Sequence, residues 1–211
     1  ALVGGETAEH PGLLGPDDYD VAGAAVGVVD AANLLGPQKV KAGDIVLGMQ
    51  SSGLHSNGYS LVRKVVADSG LDYRKSVAEF DTRSLGEVLL EPTRLYTGVL
   101  NKLLESSLGT SVHAMSHITG GGIAANIARV LPEGLALDVD RSTWSPHEVF
   151  RVLAGWGDFS LESVEGTWNL GLGQAVVVDA ANAEKVSTKL NELGVPTWQL
   201  GVIENAPRSE E

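Results

Sequence analysis

The densest run of chemistry-bearing residues in this sequence is Ser51-Ser52-Gly53-Leu54-His55-Ser56-Asn57-Gly58. Hydroxyls, an asparagine and two glycines allow close backbone approach and present N–H and O–H donors, which suits a phosphate or another anion. The same residue types make ordinary turns and helix caps, so local chemistry leaves both readings open. No Gly-Lys-Ser/Thr follows, which excludes the phosphate loop of the common NTPases. A second run is His113-Ala114-Met115-Ser116-His117-Ile118-Thr119-Gly120-Gly121-Gly122. Here Thr119 suits the cap of a helix from Ile123, and the glycines admit a ligand close to the backbone. His117 can donate to an anion or exchange a proton near neutral pH, or simply sit satisfied beside a turn. His113 and His117 would form a metal pair only on a helix; the pattern is strand-like, so that pair is rejected. A third run, Gly4-Gly5-Glu6-Thr7-Ala8-Glu9-His10-Pro11-Gly12, offers carboxylates and a hydroxyl to a hard cation such as Mg²⁺, although acidic residues in such loops are commonly just solvated. Trp168-Asn169-Leu170-Gly171-Leu172-Gly173 reads as the entrance to a strand.

The elements that must hold these runs follow from hydrophobic periodicity. Ile45–Met49 is apolar nearly throughout and reads as a strand buried on both faces, leading through the Ser/Gly loop into a helix from Gly58 to Ser69. Pro92 suits a first helical position before the stripe Leu95, Tyr96, Val99, Leu100, Leu103, Leu104. Ser145 and Glu148 have capping-box spacing ahead of Val149, Phe150 and Leu153. Strands are expected at 19–29, 112–115, 135–139, 174–178 and 198–203, with further helices at 123–131 and 183–193. Strands and helices alternate, so the fold class is α/β (α+β): a mixed sheet covered by helices. The stretch 72–87 stays unassigned, and 33–43, with Pro37 and two glycines, reads as a connection.

Composition narrows the partners. The net charge is −12 and no Lys/Arg cluster stands out, which argues against nucleic acid. No apolar run spans a bilayer and no secretory leader is visible, so neither membrane nor export is expected. Cysteine is absent, which removes disulfides, thiolate catalysis and cysteine-bound zinc, and fits a cytoplasmic address.

In order along the chain, GGETAEHPG, YDVAGAAVGVVD, VKAGDIVLGMQSSGLHSNGYSLVRKV, HAMSHITGGGIAANIARVLP and WNLGLGQAVVV resemble the phosphoribosylformylglycinamidine cyclo-ligase (aminoimidazole ribonucleotide synthetase) family. The blocks run from Gly4 to about Ile203; His10 and Leu54 stand where methionine and proline are expected. The resemblance implies ATP-dependent ring closure of formylglycinamidine ribonucleotide in purine biosynthesis, with ATP and Mg²⁺, in a cytoplasmic homodimer. It implies catalytic roles for Glu6, His55 and His117, with Glu6 on the metal. Substrate or ATP binding falls to Thr7, Ser52, Gly53, Ser56, Asn57, Gly58, Thr119, Gly120 and Gly121. It further implies that residues 1–30 are the last stretch of an N-terminal ATP-binding and dimerisation domain and 31–211 the C-terminal α/β domain. The family's glycine-rich, lysine-bearing opening segment has no counterpart here, so the chain is expected to be a fragment and inactive alone. The alternatives are a non-catalytic ligand-binding module and the related synthetase making the preceding intermediate.

Overall fold

The computed structural model describes residues 1–10 and 12–206, which fall into two compact units, 1–34 and 35–206. In the first unit nearly every residue is exposed and the regular structure named is a 3₁₀ turn, Ala31–Asn33. The strand expected over 19–29 does not form: Tyr19, Val21, Val26 and Val28 are 85% exposed or more. β-branched residues favour a strand only when a neighbouring strand takes their N–H and C=O groups, and the first unit supplies none to this segment.

The second unit is built on a five-stranded sheet. Its strands are β1 (Ile45–Gln50), β2 (Val112–His117), β3 (Leu135–Leu137), β4 (Leu172–Val178) and β5 (Thr197–Asn205), in the spatial order β2-β4-β1-β5-β3. The helix-covered α/β architecture is as expected, and its "mixed" sheet resolves into ladders that are all antiparallel. β1 and β4 lie at the centre, which is why they read as continuous apolar runs: neighbours take their backbone groups on both edges, and layers cover both faces. Along β1, Val46 packs into one cluster with Ala114, Ile123, Ile127, Ala175 and Val177. Leu47 and Met49 turn to the other face, against Tyr96, Leu103, Val186 and Leu190. Every residue of β4 is buried, and each valine so placed contributes on the order of 1.5–3 kcal/mol.

The described residues form six helices: α1 (Tyr59–Asp68), α2 (Leu85–Leu89), α3 (Thr97–Leu104), α4 (Gly122–Ala128), α5 (Glu148–Gly157) and α6 (Ala183–Glu192), of which α4 packs on one face of the sheet and α3 and α6 on the other. α1, α2 and α5 share a third cluster around Val62, Leu85, Phe150, Leu153 and Trp168. Two helix starts differ from expectation. Residues 92–96 are not helical and α3 begins at Thr97, because the backbone of this segment is engaged elsewhere: Ser52 Oγ donates to Pro92 O at 2.6 Å, and the Arg94 N–H points to His55 Nε2 at 3.4 Å. α5 is capped by His147 rather than Ser145, and without a side-chain bond; the imidazole instead donates from Nε2 to Ser51 O at 2.9 Å. A complete capping box does exist at Ser84 and Glu87, inside the stretch left unassigned from sequence, and it starts α2.

Candidate functional site

β1, β2 and β4 bring the two glycine-rich runs to one end of the sheet. β1 ends at Gln50, β2 at His117, and antiparallel β4 starts beside both at Leu172, with Gln174 paired to Met49 and to His117. The loop 51–58 leaves β1 and the turn 118–121 leaves β2, so strand order makes neighbours of segments 60 or more positions apart. His55 and His117 have ring centroids 6.4 Å apart, and Tyr96 sits 6.2 Å from each, all edge-on. A Cβ built on Gly120 would lie 3.9 Å from Asn57 Oδ1. Gly173 floors the group: a Cβ there would collide with the Tyr96 hydroxyl and with His55 Cε1 at 2.6 Å.

The loop 51–58 is gripped from behind. Asn169, 1% exposed, donates from Nδ2 to Gly53 O at 2.9 Å and accepts from Gly171 N at 2.9 Å. The Ser51 hydroxyl lies 3.0 Å from Gly53 O and 3.2 Å from Asn169 Oδ1, sharing its one proton between them. Ser51 N–H donates to Gly171 O at 2.9 Å. The 168–173 run is therefore a strand entrance, as expected, and its asparagine also shapes the loop. Within the loop, His55 is 4% exposed and adopts a positive φ of 58°, uncommon outside glycine. Ser56 is exposed and its hydroxyl lies 3.5 Å from that of Thr93; Ser52, Asn57 and Gly58 are half-buried, and Gly53 is buried.

The turn after β2 is gripped from within. Asn126 of α4, 2% exposed, donates from Nδ2 to the carbonyls of Thr119, Gly120 and Gly122, at 3.2, 3.2 and 2.7 Å. Its Oδ1 accepts from the Thr119 hydroxyl at 3.2 Å and from Arg129 Nη1 at 3.1 Å. Thr119 consequently does not cap α4, contrary to expectation. The cap position belongs to Gly121 in the left-handed region, since the threonine hydroxyl is spent on Asn126. Gly120 and Gly121 are exposed, as is His117 at the end of its strand.

Electrostatics separates the two histidines. Burial, reinforced by His117, Arg94 and His147, pushes the His55 pKa down to about 4, so it is neutral at physiological pH. Burial pushes the Tyr96 phenol well above its usual range, and its O–H donates to Gln50 O at 2.8 Å. Glu6 and Thr7 belong to the first unit, where both are exposed. At the other end of the sheet, His113 Nδ1–H donates to buried Asp44 at 2.6 Å, and Lys41 pairs with Asp179 at 3.2 Å. His113 and His117 thus lie at opposite ends of β2, about 13 Å apart at the usual rise of a strand.

The segment 91–96 was missed. It contributes Pro92 O, Thr93 Oγ1, the Arg94 N–H and the Tyr96 ring to the same place. The available signal was Pro92 with a polar Thr-Arg pair behind it, since proline also keeps an extended segment from turning helical.

The family model for AIR synthase related protein, C-terminal domain, matches residues 41–211. A phosphoribosylformylglycinamidine cyclo-ligase from Polaromonas sp. (strain JS666 / ATCC BAA-500) is 44% identical over the whole chain, which spans 58% of that relative's length. Among solved structures, a thiamine-monophosphate kinase from Stenotrophomonas maltophilia K279a superposes with a TM-score of 0.56 at 19% identity, over 84% of this chain and 52% of that one. The hydrogenase maturation protein HypE superposes with a TM-score of 0.53 at 18% identity, over 86% and 51%. These two speak for the fold alone. With a family match over most of its length and a sheet that carries the motifs to one end, this chain belongs to the AIR synthase related, C-terminal domain family.

Proposed function

We propose that this chain supplies the C-terminal part of a phosphoribosylformylglycinamidine cyclo-ligase, which converts formylglycinamidine ribonucleotide and ATP to aminoimidazole ribonucleotide, ADP and phosphate. The observation that carries this reading is the 44% identity to the Polaromonas enzyme across all of the chain. In that reading ATP supplies the phosphoryl group that makes the formyl amide oxygen a leaving group, and an amidine nitrogen of the same molecule attacks the carbon, releasing phosphate as the ring closes. The chain's own work is binding and orientation. Ser52, Gly53, Ser56, Asn57 and Gly58 on one side and Thr119, Gly120 and Gly121 on the other hold the ribonucleotide, with Thr93 an added hydroxyl. His117, exposed between them, is the side chain free to handle a proton. Residues 1–30 are read as the end of the N-terminal ATP-binding and dimerisation domain. Glu6 has the hard carboxylate chemistry that Mg²⁺ prefers, with Thr7 beside it, and as a single acidic ligand it needs phosphate oxygens and further groups to complete a site. A cytoplasmic homodimer that uses neither nucleic acid nor membrane belongs to the same proposal; no helix among the described residues is long and apolar enough to cross a membrane.

The test is a coupled assay of ADP release. The chain joined behind the part of the Polaromonas enzyme that it does not cover should release ADP only when formylglycinamidine ribonucleotide is present, and the chain alone should not. Turnover by the chain alone would show the ATP site misplaced. No ribonucleotide-dependent turnover by a folded fusion would favour the non-catalytic module, and ADP release with glutamine and formylglycinamide ribonucleotide, the amide precursor, would favour the related synthetase.

A further inference from the structure

The role of His55 is open to a sharper assignment from geometry alone. Its Nε2 faces two backbone N–H groups, that of Ser52 at 3.1 Å and that of Arg94 at 3.4 Å. An N–H can only donate, so Nε2 must be the unprotonated, accepting nitrogen. The proton of the neutral ring then sits on Nδ1, although Nδ1 is buried with no protein partner. The tautomer is thus imposed from the Nε2 side, against the preference of a buried donor to be paired.

We infer that His55 is a positioning residue, a neutral clip whose Nε2 ties the loop after β1 to the segment 91–96, and not an acid or base of the site. The clip spans 39 positions of sequence and joins the two segments on which Ser52, Ser56 and Thr93 stand. Its grip accounts for the left-handed backbone at position 55, a strain that persists only where the surroundings over-determine it. The groups around the ring agree with neutrality. His117 faces it from the end of β2, Arg94 and Tyr96 from the segment before α3, and His147 from the start of α5. The carboxylate that this segment itself carries, Glu91, pairs with Arg83 at 3.3 Å. Among the described residues no acidic partner stabilises an imidazolium, and Nε2 has no lone pair left with which to take a substrate proton.

The test reads tautomer and clip separately. Histidine-ring ¹H–¹⁵N spectra of the labelled chain should show His55 protonated on Nδ1 and bare on Nε2 from pH 7 down to about pH 5, with protonation only near pH 4. Amide exchange should quicken about tenfold or more at Ser52, and less at Arg94, in His55→Ala, while α1 amides hold their rates. His55→Gln, whose Oε1 can stand where Nε2 stands, should restore most of the Ser52 protection. An Nε2–H tautomer, an imidazolium at pH 6, or unchanged Ser52 exchange in a folded His55→Ala would each overturn the clip. Should His55→Ala not fold, the tautomer and His55→Gln decide the matter alone.

Discussion

The loop after β1 and the turn after β2 meet at the same rings but are built on opposite plans. The first spans eight residues and is held by side chains from far along the sequence: Asn169 beneath it, His147 at its start, the segment 91–96 along its side. The second is short and held mainly by one asparagine of the helix it leads into, with a long-range backbone bond from Gly121 N–H to Gly166 O at 3.1 Å. A loop tied to distant segments inherits its shape from the whole domain. A turn tied to its own helix carries its shape locally, and pays for that economy with positions where only glycine fits.

Gly122 is where the local plan should break hardest. It has φ of 69°, and a Cβ there would collide with Glu165 O and stand 2.7 Å from Glu165 C, both rigid backbone. Gly122→Ala should therefore cost about 3 kcal/mol or more, read as a lowered midpoint in chemical denaturation. A cost under about 1 kcal/mol would mean the turn can move off Glu165, and the claim that only glycine fits at position 122 would fail.

Asn169 is the matching weak point of the distant plan. Asn169→Ala leaves Gly171 N–H without its partner and Gly53 O with the Ser51 hydroxyl alone, inside a buried corner, at about 2–3 kcal/mol. The sharper outcome is spatial: the chemical shifts of the loop 51–58 should change while those of 119–122 stay. Equal disturbance of both would show that the two turns are one unit.

How much of this was legible beforehand follows the same division. The β1–loop–α1 unit was readable because its signals are local: an apolar run, then Ser/Gly/Asn, then a helical stripe. So was the glycine turn. The segment 91–96 was not, because a proline before an apolar stripe looks like a helix start, and only His55, far off in sequence, reveals where the backbone bonds go. The run 19–29 looked like a strand because β-branched residues encode a preference, while pairing depends on a partner the sequence does not name. Asn126 and Asn169 escaped for a related reason. A polar residue in a helix or a Gly-rich turn reads as solvated, and both are 2% exposed or less.

Asn126 tests the local plan a second way. Asn126→Ala should cost roughly 1–3 kcal/mol, since three carbonyls and the Thr119 hydroxyl lose the Asn126 bond, although Thr119 O keeps the Gly122 N–H and water can reach some of the others. Asn126→Asp should be worse at neutral pH, because a carboxylate oxygen would replace the donor facing three carbonyls. Its stability should recover as the solution is acidified and the carboxyl gains a proton, which becomes a donor again. A pH-independent difference between the two variants would show that Nδ2 is not what organises the turn.

The smallest effect on stability is expected at Gly120, and it separates the fold of the turn from its use. Gly120 is exposed and its φ lies outside the left-handed region. The nearest atom to a built Cβ is Asn57 Oδ1 at 3.9 Å, an ordinary contact. Gly120→Ala should thus leave the denaturation midpoint within about 0.5 kcal/mol of the parent, as surface changes away from special geometry do. Yet that methyl group would stand between the two turns, on the side where Asn57 faces the glycines. If the ribonucleotide lies there, the KM of the fusion protein for formylglycinamidine ribonucleotide should rise several-fold while the chain stays as stable as before. Larger residues at position 120 should steepen the loss without unfolding the domain. A Gly120→Ala protein with unaltered KM and stability would place the ligand elsewhere along the loop 51–58, and the meeting of the two turns would then be architecture alone.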